Sequence, residues 1–346
     1  MEFLPVSPEA VNKAADILRK GGIVAFPTET VYGLGADAFN STALVKIFEA
    51  KKRPFFDPLI VHIAGLQTLE ETADLSVMDK ETRRKLFLLS ENFWPGPLSV
   101  VLPKNEKIPG IATAGLSTAA IRFPSHKTAQ ALISLSGGAI AAPSANPFGF
   151  LSPTRAQHVR SMLGEKVDII LDGGPAQIGV ESSVVDITGP CVKILRHGGV
   201  SKEAIENVIG FVQDAAFKEE KETSSDSKTD VFASPGQLKS HYAPKTPLSV
   251  FDSGDINTLP FESDAAYLFF DDSSRLSWSK RHGERQNALT KTLSPSGQIN
   301  EAAACLFEAL HELDLLDISG IYAQFAPQQG IGAAINDRLR RASVNL

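Results

Sequence analysis

Short apolar runs alternate with amphipathic helical segments over the first 200 residues of this 346-residue chain. Ser7-Pro8 predicts a helix start, because a hydroxyl caps the first turn and proline is tolerated there. Later apolar runs, such as 183–186 and 192–196, follow one another without an intervening helix. Parallel neighbours need a long crossover, so this pattern predicts an α/β fold whose sheet is mixed rather than purely parallel.

The composition changes at about Asp214 and divides the chain. Residues 214–230 include six acidic and three basic residues. This segment therefore has too few apolar residues to form a core. We therefore predict a first domain at 1–213, a linker and lid segment at 214–247, and a small α/β domain at 248–346. Strands of the second domain are expected near 248–251, 265–270 and 320–325.

Charge and cysteine content narrow the possible functions. The formal net charge of −6 argues against extended binding to nucleic acid, which needs a basic face, but permits a local basic pocket. The two cysteines show no metal or redox spacing. Because no signal peptide or membrane-length apolar run is evident, we expect a cytoplasmic protein without a membrane partner.

The segment 27–35, PTETVYGLG, directly follows the apolar strand 23–26. Its hydroxyls, carboxylate and glycines are typical of strand ends at which ligands bind. Gly33 and Gly35 match the loose dinucleotide pattern G-x-G-x-x-A, but six residues separate Phe26 from Gly33 and no ribose-binding acid follows. We expect a close backbone turn beside a ligand instead.

Basic side chains recur at the ends of predicted elements. Lys51 and Arg53 lie where the second helix ends, with His62 shortly after, and Arg122 and Arg196 end apolar runs. Two interpretations stay open: cations that complement a helix terminus or form internal salt bridges, and a basic clamp for an anionic ligand. Small polar residues at 144–146 and 182–183 bind ligands or form ordinary turns equally well.

The order of these motifs resembles the YrdC-like family. The motifs are PTETVYGLG, KKRPFFDPLIVH, FWPGPLSVVLP, STAAIRFP, APSANPFG with SPT, DGG, ESSVVDIT and ILRHGG. Two further segments, SPGQLKSHYAP and IGAAINDRLRRAS, are similar to the longer, two-domain threonylcarbamoyl-AMP synthases. The resemblance implies a twisted open mixed sheet with a basic concavity, and a smaller Rossmann-like C-terminal domain.

The resemblance also implies a reaction. L-Threonine, bicarbonate and ATP with Mg²⁺ as cofactor would give threonylcarbamoyl-AMP and pyrophosphate, which makes the chain a nucleotidyltransferase. The product would pass to a threonylcarbamoyl transferase machinery for N6-threonylcarbamoyladenosine modification of tRNA, with at most weak contact of this chain to RNA.

The resemblance assigns roles to individual residues. The catalytic residues near the phosphates are Lys51, Arg53 and Arg196. The ATP site comprises Arg53, Asp57, Thr118, Ser144, Asn146, Arg196 and Tyr242. The threonine site comprises Thr30, His62, Arg122, Ser182 and Ser183, and the metal ligands stay unknown. Asp57 stands where the family often has asparagine, which places a negative charge beside the phosphates.

Three other functions are alternatives to this synthase reaction. The first is a module that binds double-stranded or ribosomal RNA. The negative net charge of the chain argues against it, and so does the lack of an aromatic stacking platform. A carbamoyl-transfer enzyme of hydrogenase maturation shares the YrdC-like domain but adds zinc-finger cysteine pairs, which two cysteines cannot supply. An inactive regulatory relative disagrees with the retention of basic residues such as Lys51 and Arg122.

Overall fold

The computed structural model describes residues 1–216, 241–282 and 289–344. Most of the predicted linker, at 217–240, lies outside these residues, so the domain boundaries stay predictions. Within the described ranges the α-helices are α1 Pro8–Arg19, α2 Ser41–Lys51, α3 Leu69–Thr72, α4 Lys80–Phe93, α5 Lys127–Ser136, α6 Ala156–Met162, α7 Lys202–Ile209, α8 Asp272–His282, α9 Ile299–Leu313 and α10 Gly332–Ala342.

The first 216 residues build one large sheet. Its order is β1-β8-β2-β3-β7-β4-β6-β5-β9-β10-β11. The strands are β1 Glu2–Pro5, β2 Val24–Phe26, β3 Gly33–Asp37, β4 Ile60–Ile63, β5 Leu98–Pro103, β6 Thr118–Arg122, β7 Ala139–Ala141, β8 Ile169–Asp172, β9 Ser183–Asp186, β10 Lys193–Arg196 and β11 Gln213–Asp214.

The predicted mixed direction of this sheet is confirmed. Strand β4 pairs parallel with β6 and antiparallel with β7, and β9 pairs parallel with β5 and antiparallel with β10. The predicted cap is also present, since the Ser7 hydroxyl accepts from Ala10 N at 3.1 Å. Helices α1 and α5 pack on one face of the sheet through an apolar cluster that includes Leu18 and Phe26.

The expectation of a turn at Gly33 and Gly35 is wrong, because both glycines lie in strand β3. The reason is packing. A Cβ at Gly35 would approach Ile140 to 2.6 Å and Phe26 to 2.8 Å, so only glycine lets β3 lie this close to its neighbours. Gly33 nevertheless lines a cleft together with Arg53, Arg122 and Arg196, as the position beside a strand end predicts.

The C-terminal region forms a second, fully parallel sheet. Its order is β12-β15-β13-β14, with strands β12 Leu248–Phe251, β13 Ala265–Phe269, β14 Leu289–Thr292 and β15 Gly320–Gln324. Three of the four strands were predicted. Strand β14 was missed because its residues, LTKT, are mostly polar and it lies at the sheet edge. No described helix has the length and apolar character that crossing a membrane requires.

The two regions are packed against each other through apolar and polar contacts. Val31 and Leu151 of the first region join the same apolar cluster as Phe307 of α9. Beside them, His158 of α6 stacks on His311 of α9 with ring centroids 4.0 Å apart. Burial, assisted by His311 and Arg155, lowers the pKa of His158 from 6.5 to about 3, so this ring is neutral at physiological pH.

We predict that acidification weakens this contact. Because the folded pKa of His158 lies below its unfolded value, the stabilisation is complete above about pH 6.5 and declines as the pH falls toward 3. Urea unfolding at about pH 7.5 and about pH 5 measures the effect. His158→Phe keeps an aromatic ring that cannot be protonated, so its stability should fall less on acidification. An equal fall in both proteins would contradict the assignment.

Candidate active site

The main cleft lies at the ends of several neighbouring strands of the large sheet. Its empty volume is about 520 Å³. The strands β3, β7, β4 and β6 are adjacent in the sheet, and the parallel register of β4 and β6 places His62 directly beside Arg122. The lining residues are Thr28, Thr30, Val31, Gly33, Arg53, Ile60, His62, Arg122, Ala142, Pro143, Ser144, Glu181, Ser182, Arg196, His241 and Tyr242.

Three arginines contribute the positive charge of the cleft. Arg53, Arg122 and Arg196 are only 6%, 4% and 5% exposed. A buried guanidinium needs partners that satisfy its donors, because an unpaired buried charge is strongly unfavourable. The protein supplies these partners itself, and they fix where each guanidinium points.

Arg122 is held by a carboxylate of the PTET segment. Its Nη2 donates to Glu29 Oε1 at 2.6 Å and its Nε donates to Gly96 O at 3.2 Å. Burial alone would raise the pKa of Glu29, but Arg122 lowers it below its usual value, so the pair is ionic. The internal salt bridge considered from the sequence therefore exists, and Arg122 lines the cleft as well.

Arg196 is fixed by the turn before β9. Its Nε donates to Ser182 O and its Nη2 donates to Ser182 Oγ, both at 3.0 Å. The Ser182 hydroxyl also contacts Ser99 Oγ at 2.8 Å and lines the cleft. Ser183 instead points into the packing, where its hydroxyl bonds both the carbonyl and the amide of Val200. Of the two predicted serines, Ser182 lies at the cleft, whereas the side chain of Ser183 points away from it.

Arg53 belongs to a loop that its own side chain organises. Its Nε donates to Asp57 O at 3.1 Å, its Nη2 donates to Pro58 O at 2.8 Å, and Nη2 lies 2.8 Å from Asp57 Oδ2. That contact is an ion pair without hydrogen-bond geometry. Neither side-chain oxygen of Asp57 accepts a hydrogen bond from the described residues. Asp57 thus faces Arg53 and is not among the residues that line the cleft.

Lys51 lies behind the cleft instead of in it. Its Nζ donates to Ser144 O at 2.6 Å and to Asn146 O, and the side chain is 1% exposed. Burial lowers its pKa well below the usual value. Lys51 therefore shapes the loop that presents Ser144 to the cleft. Its predicted catalytic role stays a prediction.

The remaining predicted ATP residues fall into two groups. Ser144 and Tyr242 line the cleft, whereas Asn146 and Thr118 do not. The Asn146 amide donates to Pro147 O and Phe150 O, which closes its own loop. Thr118 begins β6, and the alternation of side chains places it on the same sheet face as Arg122, at the opposite end of the strand.

Both histidines of the cleft are neutral. Burial, with Arg122 as the next cause, lowers the pKa of His62 to about 3. His62 Nδ1 lies 3.2 Å from Ile60 O, which it contacts as a donor. Burial and the nearby Arg53 and Lys51 likewise lower the pKa of His241 far below its usual value. These rings add polar edges to the cleft without adding positive charge.

The C-terminal region reaches the back of the cleft. Arg338 of α10 is fully buried, and its Nε donates to Glu181 Oε2 at 2.8 Å while its guanidinium lies 4.9 Å from the Tyr242 ring centroid. Tyr242 itself has a φ of 64°, a strained conformation that these contacts maintain. Sequence reasoning missed Glu29, Glu181 and Arg338 as site residues, although each lies inside a quoted motif.

No metal cluster is formed among residues 1–216, 241–282 and 289–344. The carboxylates nearest the cleft, Glu29, Asp57 and Glu181, are each paired with an arginine. A divalent cation that enters this cleft would therefore depend mainly on oxygens of its ligand. The three fixed guanidinium groups of the cleft suit an anionic ligand.

Two family models match the chain. The model of the Sua5, YciO and YrdC proteins, described as "Telomere recombination", matches residues 16–198. The model described as "Threonylcarbamoyl-AMP synthase, C-terminal domain" matches residues 200–344.

Individual relatives agree with these family models over nearly their full length. A threonylcarbamoyl-AMP synthase of Pyrococcus abyssi is 39% identical over 335 residues, covering 96% of this chain and 94% of the relative. The synthase of Bacillus subtilis is 39% identical over 346 residues, covering 98% and 94%. The crystal structure of P. abyssi Sua5 complexed with L-threonine has a TM-score of 0.84 at 37% identity, covering 99% of this chain and 97% of that one.

Loss of the buried Ser183 hydroxyl should destabilise the fold more than loss of an exposed hydroxyl. Ser183→Ala leaves the buried Val200 amide and carbonyl without partners, so the free energy of unfolding should fall by about 1–3 kcal/mol. Ser76→Ala is the matched control, because Ser76 is exposed and water can replace its hydroxyl beside Asp74. Urea denaturation measures both values. Equal losses would show that Ser183 has no special packing role.

Proposed function

The chain belongs to the Sua5/YrdC family in its two-domain form, and we propose that it is the threonylcarbamoyl-AMP synthase that this membership implies. The reaction joins L-threonine, bicarbonate and ATP into threonylcarbamoyl-AMP and pyrophosphate. The observation that carries the proposal is the convergence of Arg53, Arg122 and Arg196 on one cleft, from three separate segments of the sequence. A triphosphate beside an amino acid needs such a concentration of fixed positive charge.

The substrates are assigned to two sides of the cleft. Threonine is placed on the side of Thr30, His62 and Arg122, where Arg122 faces its carboxylate. The Sua5 structure that contains L-threonine supports a threonine site in this fold. ATP is placed on the side of Arg53 and Arg196. The residue assignments remain proposals, and the geometry supports them because the members named here all line the same cleft.

The chemistry needs charge neutralisation and exclusion of water more than acid–base catalysis. A neutral threonine amine and bicarbonate form a carbamate: bicarbonate loses one oxygen as water, which also takes up the proton released by the amine. A carbamate oxygen then attacks the α-phosphorus, and the bond to the pyrophosphate oxygen breaks. The carbamate is short-lived in water, so a buried cleft that orients both substrates accelerates the reaction.

The arginines stabilise the charge that develops on the leaving pyrophosphate. A charge-assisted hydrogen bond contributes about 1.5–3 kcal/mol, so the loss of one arginine should slow the reaction about tenfold to a hundredfold. Because Asp57 is paired with Arg53, its negative charge is already compensated before ATP arrives. Mg²⁺ is proposed to enter as MgATP, held mainly by the phosphates.

The chemistry of the product also indicates the enzyme class and the next step in its use. Transfer of an adenylyl group to a carbamate oxygen makes the chain a nucleotidyltransferase, and the mixed anhydride so formed must be consumed by a transferase that acts on tRNA. The RNA-binding alternative receives no support from the relatives, whose names describe a synthase.

We predict pyrophosphate release that depends on threonine. The purified chain is incubated with MgATP, bicarbonate and a panel of amino acids, and the adenylate product is identified by mass. Threonine should give the threonylcarbamoyl adenylate, whereas omission of bicarbonate should abolish it. Pyrophosphate release at the same rate without any amino acid would refute the proposal.

Arg122→Ala should impair the use of threonine more than that of ATP. The KM for threonine should rise about tenfold or more, because a charge-assisted contact to its carboxylate is lost, while ATP binding changes less. Arg84→Ala is the control, because Arg84 is exposed and, among the residues that the structure describes, its ion pair is with the helix neighbour Glu81.

Because Arg122→Ala leaves Glu29 unpaired, the double variant with Glu29→Gln distinguishes misfolding from lost recognition. The double variant should fold and still show the raised KM for threonine. Equal damage to threonine and ATP titrations in the folded double variant would contradict the role of Arg122.

A further inference from the structure

A second cleft lies between the two regions of the chain, away from the arginines. The space between its walls, part of it open to solvent, is about 970 Å³. Phe150, Leu151 and Met162 of the first region and Leu315 of the second give it apolar walls. His158 and His311, the stacked pair, form one side, and Lys245, Glu312 and Asp314 also line it.

The hydrogen bonds of the two histidines determine their tautomers. Thr154 N donates to His158 Nδ1 at 3.3 Å, so the proton of His158 is on Nε2. His311 Nε2 lies 3.0 Å from Ser152 O and must donate to it, so His311 Nδ1 carries the lone pair. The pair therefore offers one N–H donor, on His158, and one acceptor, on His311.

Both of these ring nitrogens are available to a ligand. Within the described parts of the chain, neither His158 Nε2 nor His311 Nδ1 has a hydrogen-bond partner, and neither is sealed from solvent. Burial lowers the pKa of both rings, so the donor and the acceptor persist at neutral pH. A donor and an acceptor on rings 4.0 Å apart thus stand beside an apolar space.

We propose that this cleft binds a small, neutral, planar heterocycle whose edge carries an acceptor next to a donor, as in a carboxamide. The ligand's acceptor takes the His158 Nε2 proton, and its N–H donates to His311 Nδ1. The ring packs against Phe150, Leu151 and Met162. A carboxylate offers no donor to His311 and an ammonium offers no acceptor to His158, so either ion leaves one nitrogen unmatched.

Lys245, Glu312 and Asp314 agree with a neutral ligand. Glu312 pairs with Lys291, and Asp314 Oδ1 accepts from Thr246 N at 2.8 Å. The charges around the cleft are therefore of both signs, and no single sign dominates. This site goes beyond the synthase reaction, and its test does not depend on activity.

The experiment compares nicotinamide with nicotinate on the full chain. The two probes have the same shape, but nicotinate replaces the amide donor by a second, anionic acceptor. Isothermal titration calorimetry in the presence of saturating threonine and ATP measures binding outside the main cleft. Nicotinamide should bind at millimolar concentration or tighter, and at least about fivefold more tightly than nicotinate.

His158→Phe and His311→Phe are the informative variants, since each keeps an aromatic ring in the stack and removes both ring nitrogens, including the one offered to the ligand. Each should weaken nicotinamide binding about fivefold, and the double variant should abolish the preference over nicotinate. Circular dichroism confirms that the variants are folded. Absence of nicotinamide binding, equal affinity for both probes, or binding unchanged in the folded variants would overturn the proposal.

Discussion

The burial of three arginines is the constraint on which the rest of the site depends. A guanidinium that is less than a tenth exposed is tolerated only if protein oxygens satisfy its donors. The chain therefore pairs Arg122 with Glu29 and Arg53 with Asp57, and ties Arg196 to Ser182. These partners hold the positive charge in place before any substrate arrives. Fixed charges of this kind stabilise developing negative charge without reorganisation of the site.

The same constraint applies where the C-terminal region meets the site. Glu181 lines the cleft beside Arg196, and its charge is compensated by Arg338 of the last long helix. Tyr242 packs against that same guanidinium and faces the cleft. The contact continues outward through Ser152, whose hydroxyl donates to Glu181 and whose carbonyl accepts from His311. A continuous polar chain thus joins the main cleft to the interface.

Several features of the fold could be predicted from local sequence because their causes are local. The Ser7 cap and the apolar spacing of the first helix specify that helix without reference to distant residues. Strands β3 and β14 were missed for opposite reasons. Glycines at 33 and 35 indicate a turn, yet close packing against Phe26 requires them in a strand, and the polar edge strand β14 has no apolar signal.

The sequence by itself determined the family, the mixed α/β architecture and many of the polar residues of the site, because motif order and periodicity are properties of the chain. Only the tertiary structure decided which members meet. It brought Ser182 to the cleft and turned Ser183 away, and it placed Lys51 behind the loop. It also revealed Glu29 and Arg338 as partners. The reason is physical: side-chain direction alternates along a strand, and ion pairs depend on strand register, which no single segment encodes.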